Sequence, residues 1–154
     1  MGNYDHIDAS FGYNGDFDLH GGDLKTTVSD ALQSVLDQIH TVTASSVNDW
    51  LIYSKKGATL DDFVGEPNTR ETGNAIRNRV YMALVSAEIV NASDLEVKVI
   101  PVHINKVLII VRIKALSSPY NRLKEGEMLQ TSIIFDSSEK QVFFLDTASL
   151  INSI

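Results

Sequence analysis

Apolar residues at helical spacing first occur at Leu24, Val28, Ala31, Leu32, Val35, Leu36 and Ile39. They follow the i, i+3, i+4, i+7 rule, which predicts an amphipathic helix over about residues 23–42 with one buried stripe. Asp23 or Gly22 is the expected cap. Residues 43–48 are polar and turn-like. Trp50, Leu51, Ile52 and Tyr53 then form an apolar cluster, read as a strand fragment or a plug for the core, and Lys55-Lys56-Gly57 ends it. The 59–64 stretch reads as one helical turn closed by Gly65, ahead of Glu66-Pro67-Asn68. A second long helix is expected after Asn68 or Thr69, with Ile76, Val80, Ala83, Leu84 and Ala87 on its apolar side. Glu71 falls in its first turn, where a carboxylate favours the macrodipole. Residues 91–94 end it.

The period then changes from 3.6 to 2. Leu95, Val97 and Val99 alternate with Glu96 and Lys98, and Pro101 ends regular pairing or marks an edge strand. His103-Ile104-Asn105 reads as a turn. Residues 107–115 read as a β-branched strand with Val107, Ile109, Val111 and Ile113 on one face. Residues 117–126 are a polar loop, and 131–135 with 141–145 make a second hairpin across 136–140. No internal repeat is visible. Helices grouped before antiparallel strands imply an α+β domain: two long helices packed on one face of a small, mainly antiparallel sheet. Such a sheet has open edges, which can accept a strand from another chain.

Charge changes the picture at one end of the chain. The 154 residues carry a formal charge of −7, which opposes autonomous binding to nucleic acid. Asp5, Asp8, Asp16, Asp18 and Asp23 give residues 1–23 a charge of −5 with no Lys or Arg, while the other 131 residues hold 15 acids against 13 bases. Five of the nine glycines also lie in the first 22 residues, among Tyr4, Phe11, Tyr13 and Phe17. These features predict a flexible acidic arm over 1–22, ordered by a partner through its aromatic anchors, and a single domain over 23–154. There is no cysteine, hence no disulfide or thiolate chemistry. The start of the chain is neither basic nor apolar, and the longest apolar run, 107–111, is far below the ~20 residues that span a bilayer. A cytoplasmic protein without membrane contact is the expectation.

Candidate chemistry is sparse. Glu66 with Asp61 or Asp62 resembles the carboxylate pair of a glycosidase, but such acidic turns more often cap a helix or pair with an arginine, here Arg70 or Arg77. Asp16-Phe17-Asp18-Leu19-His20-Gly21 has the opening of a calcium loop, yet Thr27 stands where that loop needs a bidentate Glu. His6, His20, His40 and His103 form no i, i+4 ligand pair. No Gly-x-Ser-x-Gly elbow and no phosphate-cradling glycine loop occurs. Arg70, Arg77 and Arg79 make one basic stretch where an acidic arm or partner would dock. Neither an enzyme nor a cofactor or metal site is expected.

Residues 16–115 resemble the baseplate wedge and sheath-initiator family of contractile phage tails and related injection systems, some of whose members were labelled lysozyme-like. The likeness runs in order through Asp16-Phe17-Asp18, Gly22-Asp23-Leu24, Gly57-Ala58-Thr59-Leu60, Phe63-Val64-Gly65-Glu66-Pro67-Asn68, Ala83-Leu84, Asp94-Leu95-Glu96-Val97 and the 107–113 strand. Familiar members carry Glu-Pro-Arg where this chain has Glu66-Pro67-Asn68. The resemblance implies a ring of structural subunits in the virion baseplate, assembled in the host cytoplasm. Their partners would be the sheath protein, baseplate wedge proteins and the tail tube or hub. The implied partner-binding residues are Glu66, Pro67 and Asn68, with Arg70 as a substitute for the missing arginine. Phe11, Tyr13 and Phe17 are the candidate anchors of the arm. The other functions weighed are a tail-associated peptidoglycan hydrolase with Glu66 as its acid, and an adaptor module on the same fold.

Overall fold

The computed structural model describes residues 19–20, 23–24, 31–115, 127–145 and 149–152. Its class is α+β, with a small antiparallel sheet and two helices. A two-residue ladder, β1 (Leu19–His20) with β2 (Asp23–Leu24), precedes helix α1 (Ala31–Ala44). A short 3-10 turn (Leu60–Phe63) leads to helix α2 (Arg70–Ser86). Strands β3 (Leu95–His103), β4 (Lys106–Ile113), β5 (Glu127–Asp136), β6 (Gln141–Phe144) and β7 (Ser149–Asn152) follow.

The sheet order is β3-β4-β5, and the far side of β5 is shared end to end. β6 pairs with its second half (Ile133↔Phe144) and β7 with its first half (Leu129↔Leu150). Strict alternation puts Val107, Ile109, Val111 and Ile113 of β4 and Leu129, Ile133 and Phe135 of β5 in the core. Ala58, Leu60, Ile89, Val90, Leu95 and Val97 add to that core, and the two helices supply Val35, Leu36, Ile39 and Val42 from α1, then Ile76, Val80 and Leu84 from α2. Apart from Val42, the helix positions belong to the stripes that the 3.6 period foretold.

Two expectations need correction. Asp23 and Leu24 do not open the first helix. They pair back on His20 and Leu19 across two glycines, Gly21 and Gly22, and a two-residue glycine link between short segments is a hairpin signal. Among the described residues, α1 begins at Ala31 and extends two residues past the expected end, to Ala44. Pro101 does mark an edge strand: β3 is outermost, and its regular pairing breaks by a register shift between Pro101 and His103, where the strand ends. Most consequentially, the 50–53 cluster is neither strand nor plug, because all four side chains stand on the surface.

The arm expected over 1–22 lies outside the described residues apart from β1, and so do Phe11, Tyr13 and Phe17.

Candidate functional site

The site is built where the Glu66-Pro67-Asn68 turn meets the β3–β4 hairpin. Gly65 holds φ +82, a conformation glycine adopts without strain, and its N–H donates to the Ser137 carbonyl at 3.1 Å. Thr69 then caps α2, its hydroxyl accepting from the Thr72 N–H at 3.2 Å. Between these two anchors the turn projects Glu66 and Pro67 into solvent. Asn68 reaches sideways instead. Its Nδ2 donates to the His103 carbonyl at 2.8 Å and to the Lys106 carbonyl at 3.4 Å, clasping both ends of the hairpin. The resulting open cleft, of about 660 Å³, is lined by Glu66, Pro67, Asn68, Pro101, His103 and Ile104 among others.

The structure thus brings Glu66, Pro67 and Asn68 together, and gives Asn68 an internal task. An arginine at that position would lack the short amide that fits between the two carbonyls. Arg70 opens α2 and is exposed, with no ion pair among the described residues. The carboxylate pair considered from sequence is otherwise engaged. Asp61 meets Lys140 at 2.8 Å and Asp62 meets Arg79 at 3.0 Å, both on the surface. These pairs tie the 3-10 turn to the β5–β6 turn and to α2.

The cleft opens along β3, whose outer edge has no backbone partner among the described residues. Burial along this strand fades from Leu95 and Val97, in the core, to an exposed far end. There Ile100, Val102 and the hairpin residue Ile104 are 43%, 52% and 74% exposed, an unusual concentration of solvent-facing aliphatics. On the outer sheet face, Ile100, Leu108, Ile134 and Phe143 stand opposite one another on four adjacent strands as a partly exposed apolar row. Beside it runs a polar row. Arg112 Nε donates to Gln130 Oε1 at 2.8 Å, and Glu96 takes Arg112 at 3.6 Å and Lys98 at 3.3 Å. Sequence reading found the strand but not this exposure, which depends on which strand lies outermost. The cue was Pro101, a residue without an N–H that sheets tolerate at an edge.

Two further groups are structural. His40 sits between α1 and the sheet, its Nε2 3.2 Å from Thr131 Oγ1 and its ring stacked on Phe144 at 4.0 Å. Burial lowers its pKa from 6.5 to about 4, so it is neutral in the fold near pH 7. Asp136, 3% exposed, accepts from the Ser138 hydroxyl at 2.6 Å, with Lys106 3.6 Å away. The Ser138 hydroxyl bond leads the contacts that hold its carboxyl below the usual range. His103 and His40 are not brought together, and no group of three or more metal-ligating side chains occurs among the described residues. Among the same residues, no helix is long and apolar enough to cross a membrane.

Set against known proteins, the chain matches no family model, no curated protein and no solved structure.

Proposed function

We propose that the chain is a structural, non-enzymatic subunit of the baseplate of a contractile tail or related injection machine. It links the wedge and tube to the first sheath ring by accepting a sheath strand along β3. The observation that carries this reading is the outer edge of β3, unpaired among the described residues, beside a projecting Glu66-Pro67 turn. An incoming strand gains backbone hydrogen bonds along that edge, and Ile100 and Val102 supply apolar contact for its side chains. Glu96, Lys98 and Pro101 discourage indiscriminate pairing, because charges and a missing donor blunt an edge against copies of itself. Strand addition suits a sheath that contracts without losing connectivity, since backbone bonds resist shear while linkers rotate. The finer architecture belongs to this reading: two long helices on one face of the sheet, with residues 1–22 as an arm that engages a neighbour in the ring.

The order of motifs from Asp16 to Ile113 supports the assignment to sheath initiators over a generic adaptor. A hydrolase is disfavoured because Asp61 and Asp62, the candidate partners of Glu66, are both in ion pairs. The test is to look for sheath and wedge genes in the gene neighbourhood and to co-express their products with this chain. Ile100→Lys with Val102→Lys, both surface changes, is expected to weaken sheath capture at least about tenfold while leaving the melting temperature within a few degrees. Undiminished capture by that double variant, or a gene neighbourhood without sheath and tube genes, contradicts the proposal.

A further inference from the structure

The 50–53 loop is the most exposed apolar feature among the described residues, and it is pinned in that posture. Leu51 and Ile52 are 101% and 85% exposed, with Trp50 and Tyr53 at 42% and 64%. The Asn48 N–H donates to the Ser54 carbonyl at 2.7 Å, closing the neck of the loop. The Ser46 N–H donates to Asp49 Oδ2 at 2.7 Å, and Trp50 Nε1 donates to Ser45 Oγ at 3.2 Å. A loop held open by its own bonds loses little freedom when something covers it.

Between this loop and the end of α2 lies a groove of about 650 Å³. Ala83 and Ala87 line it on the helix side, Ile52 and Tyr53 on the loop side, with Lys55 and Lys56 beside them. Glu88 is the one carboxylate among its lining residues. Neither lysine meets a carboxylate among the described residues, and Lys56 rests 5.7 Å above the Tyr53 ring. By contrast Arg79, Lys98, Lys106, Arg112 and Lys140 are all paired. Arg70, Arg77 and Lys114 are unpaired too among the described residues, but they line neither this groove nor the cleft beside β3.

An apolar trough with a basic margin calls for an occupant carrying aromatic or aliphatic anchors among carboxylates. The chain itself contains such a segment. Residues 1–18 hold Asp5, Asp8, Asp16 and Asp18, no Lys or Arg, and Tyr4, Phe11, Tyr13 and Phe17. We infer that the groove between the 50–53 loop and the end of α2 receives the acidic, aromatic segment 1–18 of a neighbouring copy of the chain. The contact joins copy to copy, uses a different surface from the β3 edge, and does not depend on the sheath reading.

Trp50 is the sole tryptophan and stands in the 50–53 loop that borders the groove, so its emission reports what covers that loop. With the full-length protein at low ionic strength, raising the concentration should produce larger sedimenting species and a shift of Trp50 emission to shorter wavelength. Added salt should reverse both, because exposed charge pairs are screened. Lys55→Glu with Lys56→Glu should weaken association at least about tenfold. A full-length variant with Asp5, Asp8, Asp16 and Asp18 all changed to Lys should do the same. Circular dichroism checks that each variant keeps its fold. Mixing the two variants should restore association, since the reversed charges then match. The inference is overturned by a wild-type monomer with unchanged Trp50 emission, by association that survives either reversal, or by a mixture that stays apart. It is equally overturned if the blue shift requires anionic lipid vesicles instead of a second copy.

Discussion

Single residues fix the geometry of both surfaces. Gly57 holds φ +136, and a Cβ there would lie 2.7 Å from the Ser45 carbonyl oxygen. That closeness lets the next two residues turn back and cap α1: the Ala58 N–H donates to the Val42 carbonyl at 3.0 Å and the Thr59 N–H to the Ser45 carbonyl at 3.1 Å. Gly57→Ala is therefore expected to cost at least about 2 kcal/mol in urea unfolding. An unchanged midpoint would show that the backbone shifts freely. His40 gives a pH signature of its own. Its pKa in the fold, about 4, lies below the ordinary 6.5, so the unfolded chain binds the proton more readily. Its contribution is whole above about pH 6.5 and is lost as pH falls towards 4, to a limit of about 3 kcal/mol. His40→Phe should flatten that part of the stability profile, and an identical acid limb in the variant would assign the loss elsewhere. Neither feature was legible in the sequence. A glycine after two lysines reads as a plain stop, and a histidine on a helix does not announce the aromatic ring it stacks on.

At the scale of elements, the periodic segments were readable and the irregular ones were not. The second helix was expected after Asn68 or Thr69 and begins at Arg70, because the acidic first turn and the apolar stripe agree. Thr69→Ala removes the oxygen that accepts from Thr72, and should lower stability by about 1 kcal/mol. No change would mean solvent replaces the cap without loss. The expected start of the first helix fails at Asp23 and Leu24, because Leu24 fits the helical period by chance and pairs instead with Leu19, while residues 25–30 lie outside the described residues. Strand β5 starts four residues earlier than the 131–135 expectation, and β7 was missed, since its pairing with β5 is set by tertiary register. The 50–53 cluster was misplaced for a related reason. Hydrophobicity alone cannot separate a buried plug from an exposed loop; the exposure of all four side chains decides it.

For the whole molecule, the candidate site was half legible. Glu66, Pro67 and Asn68 do converge with the β3 hairpin, whereas the exposed aliphatics of β3 appear only once the strand order is known. Among the described residues, the buried apolar side chains that form the core all lie within residues 35–135, so removing residues 1–18 should leave a cooperative melting transition and, on the proposed function, abolish incorporation into a baseplate. Loss of cooperativity would make that segment part of the core.

The central claim, that another chain adds a strand to β3, is tested most directly by amide hydrogen exchange at residues 95–103 with and without the sheath protein. Edge amides without a backbone partner among the described residues should slow by at least about tenfold in the complex, with the β4 amides unchanged. Exchange along β3 that is already slow in the free chain, or that stays fast in the complex, would contradict strand addition.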